Sequence, residues 1–249
     1  MAGHSHAANV AVRKGKADKL RAKVFTKLAR EITVAVKSGS PDPDANPRLR
    51  AAITAARAAN MTNDRIKSAI SQGTGANKGE DYDEIRYEGY GIGGVAIIVE
   101  TLSNNRNRTA SDIRSTFTKF GGNLGETGSV SYNFDKVGYI EYPAEKASAD
   151  AMLEAVIEAG ADDCESSEVM HCIYCKPENL VEVREALTKK FGHTDTARFS
   201  WKPQNTIPVS GETAQKNLKL IEALEDWDDV QFVVTNADFD AASLASLGS

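Results

Sequence analysis

At 249 residues the chain has room for one to three domains, and with 41% hydrophobic and 26% charged residues it reads as globular rather than disordered. Its longest strictly apolar run, Val95 to Val99, is far short of the roughly 20 residues a membrane-crossing helix needs. No apolar stretch follows Met1 as a secretory signal would, and three Cys cannot build a disulfide framework, so a reducing, cytoplasmic home is expected.

The formal charge of −5 conceals a split. Residues 1–78 carry 15 Lys+Arg against 5 Asp+Glu, a net of +10, and residues 79–249 carry 15 against 30, a net of −15. That asymmetry predicts a polyanion-binding module joined to an acidic remainder, against the plainer reading that the charges decorate solvated faces.

In chain order, residues 1–15 show no period and read as a basic arm. From Lys16, Leu20, Val24, Leu28 and Ile32 recur every four residues, which predicts a basic amphipathic helix ending near Ser38-Gly39. Asn46 followed by Pro47 predicts the cap and first residue of a second helix. Thr62 predicts the cap of a third, with Met61 and Ile66 at the spacing of a hydrophobic staple and Gly73 as its stop. Residues 16–78 thus read as a three-helix unit and its linker.

From Tyr82 the pattern becomes α/β. Strands are expected at 84–89, 95–102 and 129–134, and a helix at 109–120 with Thr109 and Asp112 at capping-box-like spacing. The series from Val137 to Trp201 (strand, helix, short strand, strand, helix, strand) has the order of a ferredoxin-like unit. The helix at 213–227 and strand at 230–235 cannot bury their own faces and should return to complete the sheet begun at Tyr82. The expected fold class is α+β multidomain: an N-terminal three-helix domain, then a discontinuous α/β domain at 79–134 plus 207–240, a ferredoxin-like α/β domain at 135–206, and a tail at 241–249.

Few constellations suggest chemistry. Gly89, Gly91 and Gly94 match G-x-G-x-x-G, but a strand follows where a dinucleotide site needs a helix, so a glycine-rich turn is expected. His171, Cys172 and Cys175, with Cys164, invite a metal reading, yet strand alternation points neighbours to opposite faces. No metal or cofactor is expected. The pairs Asp162-Asp163 and Asp228-Asp229 read as solvated turn residues. No acid, base and nucleophile come together, so an enzyme is not expected.

Two polyanion features remain. Arg13, Lys14, Lys16, Lys19, Arg21, Lys23, Lys27 and Arg30 can follow a phosphate backbone along the arm and first helix. Phe25 has core spacing, so base stacking is not the obvious mode. Arg106 and Arg108, in Asn104-Asn105-Arg106-Asn107-Arg108 before the helix at Thr109, offer an anion site at a helix N-terminus. The alternative is that these arginines pair with the chain's own acidic surface.

The words Met1-Ala2-Gly3-His4-Ser5, Phe25-Thr26-Lys27-Leu28, Asn46-Pro47-Arg48-Leu49-Arg50, Tyr87-Glu88-Gly89-Tyr90-Gly91, Asn105-Arg106-Asn107-Arg108-Thr109, Gly121-Gly122-Asn123-Leu124-Gly125 and Glu222-Ala223-Leu224-Glu225-Asp226 resemble the YebC/PmpR family, in order, over nearly the whole chain. The resemblance implies an N-terminal helical domain, two α/β domains and a non-enzymatic regulator of gene expression. Its members are described as DNA-binding transcriptional regulators, and others as translational activators at the ribosome that ease difficult nascent sequences such as proline runs. The arm departs from the family pattern: His6, Ala7, Ala11 and Val12 replace Lys, Trp, Lys and His. The chain opens directly on the family's first word, which implies that no transit peptide precedes it and that a bacterial cytoplasmic protein is the simplest expectation.

The expected partner is nucleic acid, DNA or ribosomal RNA: the leading expectation is a DNA-binding transcriptional regulator, and the alternative a ribosome-associated translational activator contacting ribosomal RNA. The acidic α/β domains could meet the ribosome or basic proteins, and a protein-interaction adaptor is the further alternative. No membrane partner is expected.

Overall fold

The computed structural model describes residues 21–75, 82–194 and 196–245, and for Arg21, Ala22 and Ala245 the backbone alone. The basic arm with Arg13 and Lys14, the helix start with Lys16 and Lys19, and the end of the tail lie outside the described residues.

Three helices come first: α1 (Arg21–Lys37), α2 (Pro47–Ala58) and α3 (Asn63–Gly73). Asn46 Oδ1 accepts the Leu49 N–H at 3.0 Å, and its Nδ2 donates to the Ala35 and Ser40 carbonyls at 2.8 Å. One side chain therefore caps α2 and ties it to the end of α1. Thr62 caps α3. Ile32, Leu49, Ile53, Met61 and Ile66 close the small core, each worth about 1.5–3 kcal/mol when removed from water.

A four-stranded sheet follows in the order β3-β1-β2-β9, from β1 (Asp83–Tyr90), β2 (Ala96–Ser103), β3 (Asn123–Leu124) and β9 (Val230–Thr235). β9 pairs antiparallel with β2, so a strand near the far end of the chain completes this sheet. The helices α4 (Arg106–Lys119) and α7 (Gly211–Glu225) pack on one face, where Ile97, Val99, Ile113, Phe117, Leu218 and Ile221 are buried. On the opposite face Ile98, Val130, Phe134 and Val234 pack with Trp201 and Phe232. Burial on both faces explains why Val95–Val99 is continuously apolar.

The glycine-rich segment is a turn between strands, with Gly93 and Gly94 at φ of 79° and 77° and β2 immediately after. At Gly89 an added Cβ would meet the Asn123 carbonyl at 2.6 Å, so the bare backbone lets β3 approach β1.

The second sheet runs β5-β6-β4-β7, all neighbours antiparallel, from β4 (Phe134–Pro143), β5 (Asp163–Ser166), β6 (Met170–Cys175) and β7 (Thr196–Pro203). With α5 (Ala149–Glu158) and α6 (Leu180–Phe191) on one face, this is the ferredoxin-like arrangement. A parallel pair, β8 (Ile207–Val209) and β10 (Ala237–Phe239), and the short α8 (Ala241–Ala245) complete the described chain.

Two expectations fail locally. The strand expected at 129–134 is a 3-10 turn over Ser131–Asn133, because buried Glu88 accepts the Val130 and Ser131 N–H groups at 2.9 Å and bends the chain there. The α4 cap is Asn105, not Thr109; its side chain accepts the Arg108 N–H at 3.1 Å. Thr109 is buried one turn in, against Asp229.

Candidate nucleic-acid interface

The two cationic segments meet at one carboxylate. Asp229 sits in the turn between α7 and β9, with its side chain only 10% exposed. Its Oδ1 accepts from Arg30 Nη1 at 2.7 Å. Its Oδ2 accepts from Thr109 Oγ1 at 2.6 Å, Arg108 Nη2 at 2.9 Å and Ser103 Oγ at 3.3 Å. The backbone is fixed as well, since the Leu102 N–H donates to the Asp229 carbonyl at 2.8 Å.

Burial alone would push the Asp229 carboxyl up; the hydrogen bonds of Thr109 and Arg108 and the charges of Arg30 and Arg108 outweigh it and hold the group below its ordinary range. The expectation that Asp228-Asp229 are merely solvated is corrected for Asp229. Its burial depends on residues from three distant segments, and no local pattern marks it.

The rest of the α1 basic face follows the same turn. Lys23 Nζ donates to Asp226 Oδ1 at 2.9 Å and to the Asp226 carbonyl at 3.0 Å. Lys27 Nζ donates to the Glu225 carbonyl at 2.9 Å. The Arg30 guanidinium also lies 5.3 Å from the Tyr82 ring centre. Lys23, Lys27 and Arg30 are thus brought together, facing the chain's own acidic turn. The α1 backbone includes Arg21, whose side chain lies outside the described residues.

Arg106 is more open, with 68% of its side chain exposed and Asp83 at 3.8 Å. Arg108 remains 48% exposed beside Asp229 and also donates to Asn104 Oδ1 at 2.9 Å. Arg48 fastens the helical unit to the sheet, bridging Glu31 at 2.7 Å and Glu84 at 2.6 Å. Burial opposes its charge, but those two carboxylates hold the guanidinium well above its usual range.

An open groove of about 600 Å³ runs beside this cluster between α1, α4 and α7, lined by Lys23, Ser115, Thr116, Lys119, Phe120 and Trp227 among others. Trp227 lies more than a hundred positions from both Lys23 and Lys119, so no local pattern sets it beside them.

The sulfur and imidazole groups are engaged elsewhere. His171 Nε2 donates to the Ala147 carbonyl at 3.0 Å, leaving Nδ1 to accept from Ser166 at 2.7 Å. The Cys172 Sγ lies 3.1 Å from the Tyr139 hydroxyl, and burial pushes the Cys175 thiol up to about 11. Among the described residues no three His, Cys, Asp or Glu side chains converge to hold a metal ion. No described helix is long and apolar enough to cross a membrane.

Comparison with known proteins agrees along the chain. The family model described as the TACO1/YebC protein N-terminal domain matches residues 5–76, and that for the TACO1/YebC second and third domain matches residues 82–237. A solved structure of a conserved hypothetical protein from Aquifex aeolicus is similar, with 49% sequence identity, a TM-score of 0.86, and coverage of 90% of this chain and 92% of that one.

Proposed function

Because the chain belongs to the TACO1/YebC family, whose members are nucleic-acid-related regulators, we propose that it is a non-enzymatic regulator that grips sugar-phosphate strands with the basic arm, α1 and the first turn of α4, which carries Arg106 and Arg108. The observation that carries this is the junction at Asp229. Arg30 and Arg108, from the two cationic segments, share that carboxylate and so present their segments as one surface. Lys and Arg arrayed along such a surface release counterions as phosphates bind.

A non-catalytic role is supported by how the ionised carboxyls are used. Asp229 and Glu88 are both buried and held ionised by hydrogen bonds inside the fold, so these two carboxylates are spent on structure.

Of the two nucleic acids, RNA is favoured. Operator reading requires arginine or asparagine side chains aimed at base edges from a helix in the major groove. Here Arg30, 14% exposed, is committed to Asp229, and Ile53 and Ala56 of α2 face the helical core. RNA read through shape, phosphates and unpaired bases places no such demand. The reading is therefore a translational regulator acting at RNA of the protein-synthesis machinery. Crosslinking in cells, with bound RNA and DNA sequenced in parallel, tests it. Enrichment of ribosomal RNA is expected, and enrichment of promoters instead would overturn the RNA assignment.

A further inference from the structure

The groove between α1, α4 and α7 combines features that do not occur together in the sequence. Trp227 is 39% exposed, and its indole edge is fixed by the Nε1–H bond to buried Thr116 Oγ1 at 3.0 Å. Its backbone is held from both sides, donating to Leu224 and accepting from Val230. The exposed part of Trp227 is thus a fixed aromatic surface lining the same groove as Lys23 of α1. Phe120 lines the same groove, with Lys119 Nζ 5.5 Å from its ring centre. Across it, Asp226 holds Lys23 in place at 2.9 Å. The rim thus carries two ammonium groups and one carboxylate beside a fixed indole.

We propose that this groove receives one unpaired base of a single-stranded nucleic acid, stacked on Trp227, with the flanking phosphates on Lys23 and Lys119. The inference rests on the nucleic-acid reading above and deepens it. Stacking accepts any base, because every base has a π-face, and it requires that the base be free of a duplex. The ammonium groups supply phosphate contacts that a plain aromatic pocket would lack. The chemistry is shared by RNA and single-stranded DNA.

The test uses the full chain and four ten-unit probes: oligo(U), oligo(dT), a duplex of the same length, and an abasic deoxyribose-phosphate strand. Binding is read by anisotropy and by indole fluorescence. Of the two tryptophans, Trp201 lies under Arg86 at 4.2 Å and donates to Glu100, so quenching reports Trp227. Base-bearing single strands should quench and bind about tenfold more tightly than the abasic strand, within the range that stacking gives. Trp227→Ala should erase that difference, Trp227→Phe should keep part of it, and exposed Lys119→Gln should weaken all strands alike, the abasic one included. Either sugar supports the site, and the tighter one names the strand. Equal affinity for abasic and base-bearing strands, equal affinity for the duplex, or unchanged discrimination in Trp227→Phe and Trp227→Ala would overturn the stacking site while leaving phosphate binding intact. Failure of the parent to bind any probe at low salt would overturn both.

Discussion

Arg30 and Asp229 stand 199 positions apart in the chain and 2.7 Å apart in the fold. The guanidinium belongs to the helical unit and the carboxylate to the turn before β9, so this pair joins the basic front of the molecule to its acidic rear. Both side chains are largely shielded, at 14% and 10% exposure, so water screens the contact little.

Removing Asp229 should be costly. Asp229→Ala strips the acceptor from Arg30, Arg108, Thr109 and Ser103 together, and breaking a buried pair this way costs about 3 kcal/mol or more. The pH dependence has a defined sign. A carboxyl held below its ordinary range contributes stability that is full above the unfolded value of about 3.9 and is lost as pH falls through the lower folded value. Urea unfolding of parent and Asp229→Asn should therefore differ most near neutrality, with the gap narrowing below about pH 4.

Asp226 should act in the opposite direction on binding. It is 64% exposed and pairs with Lys23, so Asp226→Asn should cost stability only about 0.5 kcal/mol. It also removes a carboxylate that competes with phosphate for Lys23. Affinity for a single-stranded oligonucleotide should rise a few-fold at low salt, whereas Lys23→Glu with Lys27→Glu should abolish it. With about 5–6 phosphates engaged, log affinity should fall against log salt with a slope of about −4 on a single strand and about −5 on a duplex. Anisotropy titrations between low and moderate salt measure all of this.

Glu88 should control the 128–131 turn. It is 1% exposed, and its Oε2 accepts two backbone N–H groups, which offset the burial that would otherwise push its carboxyl up. Glu88→Ala leaves those donors without their acceptor and should cost about 2–3 kcal/mol. Hydrogen exchange should show the loss as faster exchange at Val130 and Ser131, while the α1–α3 core keeps its protection.

Gly89→Ala should separate β3 from β1. The new methyl would lie 2.6 Å from the Asn123 carbonyl and 2.8 Å from the Phe117 ring. Neither neighbour is a flexible side-chain end in open space, so a cost of about 1–3 kcal/mol is expected in thermal unfolding.

What the sequence revealed was mostly local. Asn46-Pro47 and Thr62 marked their helices because a cap is decided within four residues. The ferredoxin-like order was legible because each strand and helix carries its own period. Residues 129–134 misled because Val130, Tyr132 and Phe134 alternate like a strand, while the turn is imposed by Glu88 some forty positions earlier. Strands β8 and β10 have three residues each, too few to show a period. The basic segments were visible as charge, but their junction was not: Asp229 looks like any turn aspartate until Arg30, Arg108 and Thr109 are folded around it.

The pairing of β2 with β9 has a consequence for biosynthesis. The central strand of this sheet leaves the ribosome more than a hundred residues before its partner at Val230–Thr235, and Asp229 follows Arg30 by 199 residues. At common elongation rates that interval is about 10–40 s. The inserted β4–β7 unit, whose sheet pairs only with itself, can mature during the wait. Until that last segment emerges Arg30 lacks its Asp229 partner and β2 lacks its β9 neighbour, so nascent chains truncated before Val230 should be more readily cleaved by protease at the middle sheet than at the inserted unit.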